Sequence, residues 1–112
     1  MLWHMVIIET SIFTKQINSL LKDDEYLALQ NHIVEVPNSG DIIKGSGGIR
    51  KLRWQSSGHG KRGGARIIYF WATSEEQIFM LYAYPKKDMS DLSKDQLSIL
   101  KKVVYAEFKN ER

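Results

Sequence analysis

Residues 66–84 read Arg66-Ile67-Ile68-Tyr69-Phe70-Trp71-Ala72-Thr73-Ser74-Glu75-Glu76-Gln77-Ile78-Phe79-Met80-Leu81-Tyr82-Ala83-Tyr84. Two runs of branched and aromatic side chains, 66–72 and 78–84, flank the polar link Thr73-Ser74-Glu75-Glu76. Such side chains favour a pleated, packed backbone. A parallel crossover needs a dozen or more residues, so a link this short lets the chain only reverse. The stretch therefore predicts two adjacent antiparallel strands. Just upstream, Ile49 to Gln55 alternates, with Arg50, Leu52 and Trp54 on one face and Lys51 and Arg53 on the other. That adds a third strand, and the three read as an antiparallel meander.

Working outward, the period changes. Met5 to Glu9 is a short β-branched run and reads as a strand. Thr10 and Ser11 are helix N-cap types, followed by apolar residues at 13, 17, 20 and 21 in helical spacing. Lys22-Asp23-Asp24 interrupts that helix. Asp23, Asp24 and Glu25 then suit the positive end of a second one. Its apolar face is Tyr26, Leu29, Ile33 and Val36, and Pro37-Asn38-Ser39-Gly40 ends it. The two helices form a hairpin expected to pack on the sheet. Beyond Pro85, Ser93 and Gln96 have capping-box spacing ahead of a Leu97, Leu100, Val104 stripe. The predicted order is β-α-α-β-β-β-α, an α+β domain with an antiparallel sheet, an N-terminal helical hairpin and a C-terminal helix.

A chain of 112 residues that is 43% hydrophobic holds one core, so residues 1–112 are expected to form a single domain. The sequence has no cysteine, which excludes disulfides and thiolate chemistry. The apolar run Met5-Val6-Ile7-Ile8, closed by Glu9, is too short for a signal sequence or a membrane span, and a cytoplasmic location with no membrane partner is expected. The net charge of +3 is unevenly spread. Lys44 to Arg66 holds seven Lys or Arg and no Asp or Glu, leaving nine basic against thirteen acidic residues elsewhere. That segregation predicts a focused positive field. The same segment carries seven of the eight glycines.

Several chemistries fail on this segment. Gly58, Gly60 and Gly63 match GxGxxG, but a strand follows where a dinucleotide site needs a helix. A P-loop needs Ser or Thr after Gly60-Lys61, where Arg62 stands. His4, His32 and His59 lack metal-ligand spacing, so no metal and no cofactor is expected. Phosphate recognition remains. Glycines let a backbone approach a phosphate closely, and Lys51, Arg53, Lys61, Arg62 and Arg66 bring charge. Trp54, Tyr69, Trp71, Tyr82 and Tyr84 lie nearby in the chain as stacking surfaces for bases. The plain alternative is that these aromatics are core and the basic loop a solubilising edge.

Three stretches together carry a resemblance: Gly48-Ile49-Arg50-Lys51-Leu52-Arg53, Gly60-Lys61-Arg62-Gly63-Gly64-Ala65-Arg66-Ile67-Ile68-Tyr69, and Tyr84-Pro85-Lys86-Lys87-Asp88-Met89-Ser90-Asp91-Leu92. The chain resembles the RelE/HigB toxins of bacterial toxin–antitoxin systems, and the HigB branch most closely. The resemblance implies a single toxin domain that acts as a ribosome-dependent messenger RNA endoribonuclease in the cytoplasm. Its implied partners are the ribosome, messenger RNA and a cognate antitoxin. The antitoxin would be HigA-like with a helix-turn-helix, and operator DNA would be met only through it. The candidate catalytic set is Lys51, Arg53, Arg66 and Lys87, and the candidate RNA contacts are Arg50, His59, Lys61, Arg62, Tyr84 and Lys86. The family places a tyrosine near the start of the last helix, where Ser93 stands here as an N-cap type. Tyr84, His59 or a lysine crowded by cations (Lys51, Lys61 or Lys87) then becomes the candidate base. A non-catalytic RNA-binding module, or a toxin reduced to corepressor, would carry the same charge pattern.

Overall fold

The computed structural model describes residues 5–55 and 64–109. The elements are β1 (Val6–Glu9), α1 (Ser11–Leu20), α2 (Asp23–Glu35), β2 (Asp41–Ile42), β3 (Ile49–Trp54), β4 (Ala65–Ala72), β5 (Gln77–Pro85) and α3 (Lys94–Val104). A 3-10 turn over Thr73–Glu75 joins β4 to β5, and a π-helical turn over Tyr105–Lys109 extends α3. The strands form one sheet in the order β1-β5-β4-β3-β2.

The predicted meander is present, with β3, β4 and β5 paired antiparallel. Two features lie outside the expected order. β1 pairs parallel with β5, and the two-residue β2 adds an edge beside β3. The parallel pair follows from the helical hairpin, a crossover that lets the chain leave the sheet at one edge and re-enter at the other.

Each face of the sheet is covered. α1 and α2 set Phe13, Ile17, Leu21, Leu29 and Ile33 against Ile67, Tyr69, Ile78 and Met80. α3 and its last turn set Leu100, Val104 and Phe108 against Ile49, Ile68, Phe70, Phe79 and Leu81. β4 and β5 are covered on both sides, which explains their near-continuous apolar runs. Val36, expected on the apolar face of the second helix, is 40% exposed, because it lies beyond the last turn of α2 in non-helical backbone.

The helix ends follow the sequence signals. Thr10 caps α1 by accepting from the Phe13 amide (3.0 Å), and Ser93 and Gln96 form the expected capping box on α3. Thr10 also joins helix to sheet. Its amide donates to the Met80 carbonyl (3.0 Å) and its hydroxyl to the Leu81 carbonyl (2.9 Å). Gln16 Oε1 accepts from the Ala83 amide at 2.8 Å. β1 ends opposite Met80, so Thr10 and Gln16 supply partners along the part of β5 that β1 does not reach.

The β4–β5 ladder is interrupted once. Ile68 pairs with Tyr82 and Tyr69 with Met80, leaving Leu81 as the extra residue of a bulge. Met80 and Ala83 therefore face the helical hairpin, while Leu81, Tyr82 and Tyr84 face α3. Without the bulge, strict alternation would have turned Tyr82 and Tyr84 to the hairpin side.

Candidate phosphate-binding site

Register arranges the α3 face in transverse rows. The first row, Ile49, Phe70 and Phe79, belongs to the dry core under α3. The second is Asp41, Lys51, Ile68 and Tyr82. The third is Arg53, Arg66 and Tyr84, at the end of the sheet where β3 turns toward β4. Polarity rises from row to row, and the candidate cations occupy the polar end.

Arg66 sits in the middle of its row and is only 5% exposed. A central strand, with β3 and β5 on either side, buries it. Tyr84 beside it is 4% exposed, and its hydroxyl donates to the Ser90 carbonyl at 3.4 Å. Burial pushes the Tyr84 phenol above its ordinary pKa, the Asp91 charge adds to this, and the Arg66 charge opposes it. The phenol is therefore neutral and a hydrogen-bond donor at neutral pH. Arg53 on the open side of Arg66 is exposed.

The segment after β5 folds back over this end. The Lys86 amide donates to the Gly64 carbonyl (3.0 Å) and the Asp88 amide to the Pro85 carbonyl (3.0 Å). This places exposed Lys86 and Lys87 beside the β3–β4 junction. Further along, Asp91 pairs with Lys51. The hydrogen bond from Lys51 and its charge hold the Asp91 carboxyl below the usual carboxylate range, with Arg66 adding to the effect. Asp91 joins the candidate site through Lys51, and sequence reasoning missed it. It stood inside a quoted motif, but only the folded register brings it to a lysine forty positions away.

Arg50 is placed elsewhere. It lies on the hairpin face, where its guanidinium donates to the carbonyls of Gly40 (2.7 Å) and Asn38 (3.3 Å) and fixes the loop after α2. Of the proposed stacking aromatics, Tyr69 is fully buried on that same face, and Trp54 and Trp71 pack there too. Tyr82 and Tyr84 alone of the five share the face of the cations. His59, Lys61 and Arg62 lie outside the described residues, as does His4. His32 packs against Trp54 on the hairpin side, with tilted rings whose centroids are 5.5 Å apart. Among the described residues no group of three His, Asp or Glu side chains is placed to hold a metal ion, and no helix is long and apolar enough to cross a membrane.

Glycine usage divides by position. Gly48, at φ +110°, lies in the turn that leads into β3. Gly64, at φ +67°, packs so tightly that a Cβ would stand 2.2 Å from the Trp54 carbonyl oxygen. Both serve backbone geometry.

This arrangement can hold an anion. A buried guanidinium supplies fixed donors, and flanking exposed cations supply field. A model of the RelE toxin of the RelE/RelB toxin–antitoxin system matches residues 5–111. Among solved structures, the free E. coli toxin RelE, as an arginine-to-alanine double mutant, superposes with a TM-score of 0.60 at 15% identity, over 89% of this chain and 97% of that one. A chain of the intact E. coli RelBE toxin–antitoxin complex superposes with a TM-score of 0.53, also at 15% identity, over 73% of this chain and 96% of that one. At such identity the two structures speak for the fold, while the family match spans nearly the whole sequence. The chain belongs to the RelE toxin family of toxin–antitoxin systems.

Proposed function

We propose that this toxin is a ribosome-dependent messenger RNA endoribonuclease of the HigB branch, acting in the cytoplasm. The observation that carries the reading is the Arg53–Arg66–Tyr84 row, with Lys86 and Lys87 folded to the same end of the sheet. In the proposed reaction an RNA 2′-oxygen attacks the adjacent phosphorus. The P–O5′ bond breaks, the 2′-OH proton leaves to a base, and a proton reaches the departing 5′-oxygen. The products are a 2′,3′-cyclic phosphate and a 5′-OH.

Arg66 is suited to the non-bridging phosphate oxygens, where its fork matches phosphate geometry and its burial limits reorganisation. Arg53 and Lys87 would neutralise charge as the phosphorane forms, and Lys86 would hold flanking phosphates. The raised pKa of Tyr84 favours a donor over a base, and to serve the phosphate or leaving oxygen its hydroxyl would exchange the Ser90 carbonyl for it. The carboxylate paired with Lys51 makes that lysine a positioned cation next to the clamp rather than one crowded by like charges.

The clamp stabilises charge but does not by itself force the 2′-oxygen into line. In-line positioning is worth about 7–11 kcal/mol in favourable cases. A ribosome that holds the message in a bent conformation would supply it. A cognate antitoxin, HigA-like with a helix-turn-helix, is the proposed protein partner and the only link to operator DNA. The family match and the likeness to a chain of the RelBE complex support a toxin–antitoxin pairing.

The test is cleavage of a defined message, free and on programmed ribosomes, beside growth after expression without antitoxin. Fast ribosomal cleavage, slow free-RNA cleavage and growth arrest are expected. Ribosome binding without cleavage would reduce the protein to an RNA-binding module. Repression with antitoxin in the absence of both cleavage and arrest would make it a corepressor. A 5′-phosphate product would rule out 2′-oxygen attack.

A further inference from the structure

Beside the cationic row lies a cavity of about 340 Å³, between the β2–β3 edge and the segment leading into α3. One wall is aliphatic, built from Ile43, Leu92 and Leu97. The rim is charged, with Asp41, Lys44, Lys51 and Asp91. Two carboxylates make it a poor place for phosphate, in contrast to the neighbouring row. Its chemistry suits a flat, uncharged group that packs on aliphatic surface and offers N–H donors at its edge.

Position narrows the choice. Lys51 lines the cavity and precedes Arg53 by two residues on the same face of β3. Same-face neighbours on a strand are about 6.6 Å apart. A group bound in the cavity thus lies within one nucleotide's reach of a phosphate held by the Arg53–Arg66 row. Asp41 stands opposite Lys51 in the β2–β3 ladder, and Asp91 pairs with Lys51 from the segment leading into α3. The carboxylates therefore flank the lysine that leads from cavity to clamp.

We propose that this cavity is a base pocket: it takes an unpaired base of the message that bears an exocyclic amino group, the amino group donating to Asp41 or Asp91 while the adjacent phosphate lies on Arg66. Guanine, adenine and cytosine carry such a donor. Uracil has no exocyclic amino group, and its single edge donor, N3–H, stands between two carbonyl oxygens that would be set against the carboxylates. The aliphatic wall receives the face of the ring. The pocket rests on the RNA-cleavage reading above and adds base discrimination to it.

The experiment is an NMR titration of the isotope-labelled protein with 2′-deoxydinucleotides, which lack the attacking hydroxyl. The set differs in one base: guanine, adenine, cytosine or uracil. The amides of Ile43, Leu92 and Leu97 should shift together with that of Arg66. Amino-bearing bases should bind at least about fivefold more tightly than uracil, the low end of discrimination by a well-placed polar contact. Asp41→Asn should shrink that preference and leave the Arg66 shift in place. Shifts at Arg66 without shifts in the cavity, or equal affinity for all four bases, would overturn the pocket and leave the phosphate clamp standing. Shifts confined to the cavity would break its link to the clamp and equally overturn the proposal. No shift at either place would overturn the pocket and the clamp together.

Discussion

Replacing Arg66 by methionine removes its charge and keeps an unbranched buried stem. The structure separates the two consequences. For stability, the terms oppose. A 5% exposed cation loses its electrostatic neighbours, and the cost of burying it is relieved. Asp91 retains Lys51 as its partner, so no buried carboxylate is left behind. The net change should stay within about 1 kcal/mol, a shift of no more than roughly 8 °C in Tm for a domain of this size. For catalysis the term is one-sided. Loss of one preorganised donor on a developing oxyanion costs about 3–4 kcal/mol, or roughly 100- to 1000-fold in rate. Arg66→Lys restores a charge but not the fork and should fall between the two. The Arg66 charge also opposes the rise of the Tyr84 pKa, so in Arg66→Met the phenol should titrate higher still. Single-turnover cleavage on programmed ribosomes, with thermal melts and a tyrosine titration alongside, reads all three. Cleavage by Arg66→Met within about threefold of wild type, with the fold intact, would refute a role on the reacting phosphate. A large loss of Tm in both variants would make the residue structural.

Tyr69→Phe should lower stability by about 1–3 kcal/mol without slowing cleavage by the folded fraction, because it strips partners from the Gly40 amide (3.0 Å) and the Pro37 carbonyl (2.6 Å) inside the core; denaturant unfolding checks it. Gly64→Ala should cost about 1–3 kcal/mol and depress cleavage as well, since a Cβ at 2.2 Å from the Trp54 carbonyl oxygen and φ +67° force the junction between Arg53 and Arg66 to move; an unchanged melting curve would contradict this. Asp91, held low by Lys51, contributes stability that is full above its unfolded pKa and is lost as pH falls through the lower folded one. Its carboxyl carbon should therefore titrate below the usual aspartate midpoint, and Lys51→Met should bring that midpoint back up. Identical midpoints in the two proteins would mean that the pair does not persist in solution.

The fold was largely legible because its signals are local. Apolar periodicity marked both helices of the hairpin, Thr10 and the Ser93–Gln96 pair marked two helix starts, and the link at 73–76 dictated a reversal. The parallel placement of β1 was not legible, since four residues carry no directional preference and the choice is made by where the hairpin packs. Lys51 and Arg53 were readable as same-face residues by simple alternation, and that alternation correctly set Arg50 on the other side. Alternation failed in β5. Ile78 to Tyr84 gives no sign that Leu81 is bulged, because the Thr10 hydroxyl that meets its carbonyl is contributed from 71 positions away. Asp91 and Asp41 were invisible for the same reason: their relation to Lys51 exists only across strands and loops.

The bulge matters beyond register. β5 has two tasks on its α3 face. Near Phe79 it must offer hydrophobic surface to Phe108, whose ring centroid lies 5.4 Å away. Near Tyr84 it must place a polar tip next to Arg66. A regular strand would meet the second demand with Ala83, a side chain that has no donor. Inserting Leu81 shifts the alternation by one after the dry row has been built, so Leu81 still packs under α3 while Tyr82 and Tyr84 come round to the cations. The irregularity is held from outside the ladder by Thr10 and Gln16, which belong to the start and middle of α1. The first helix thus positions a residue of the candidate site without touching the anion that the site would bind. A change at Thr10 or Gln16 should be felt at Tyr84 through the strand, because the backbone partners that stabilise the offset are the ones these two side chains supply.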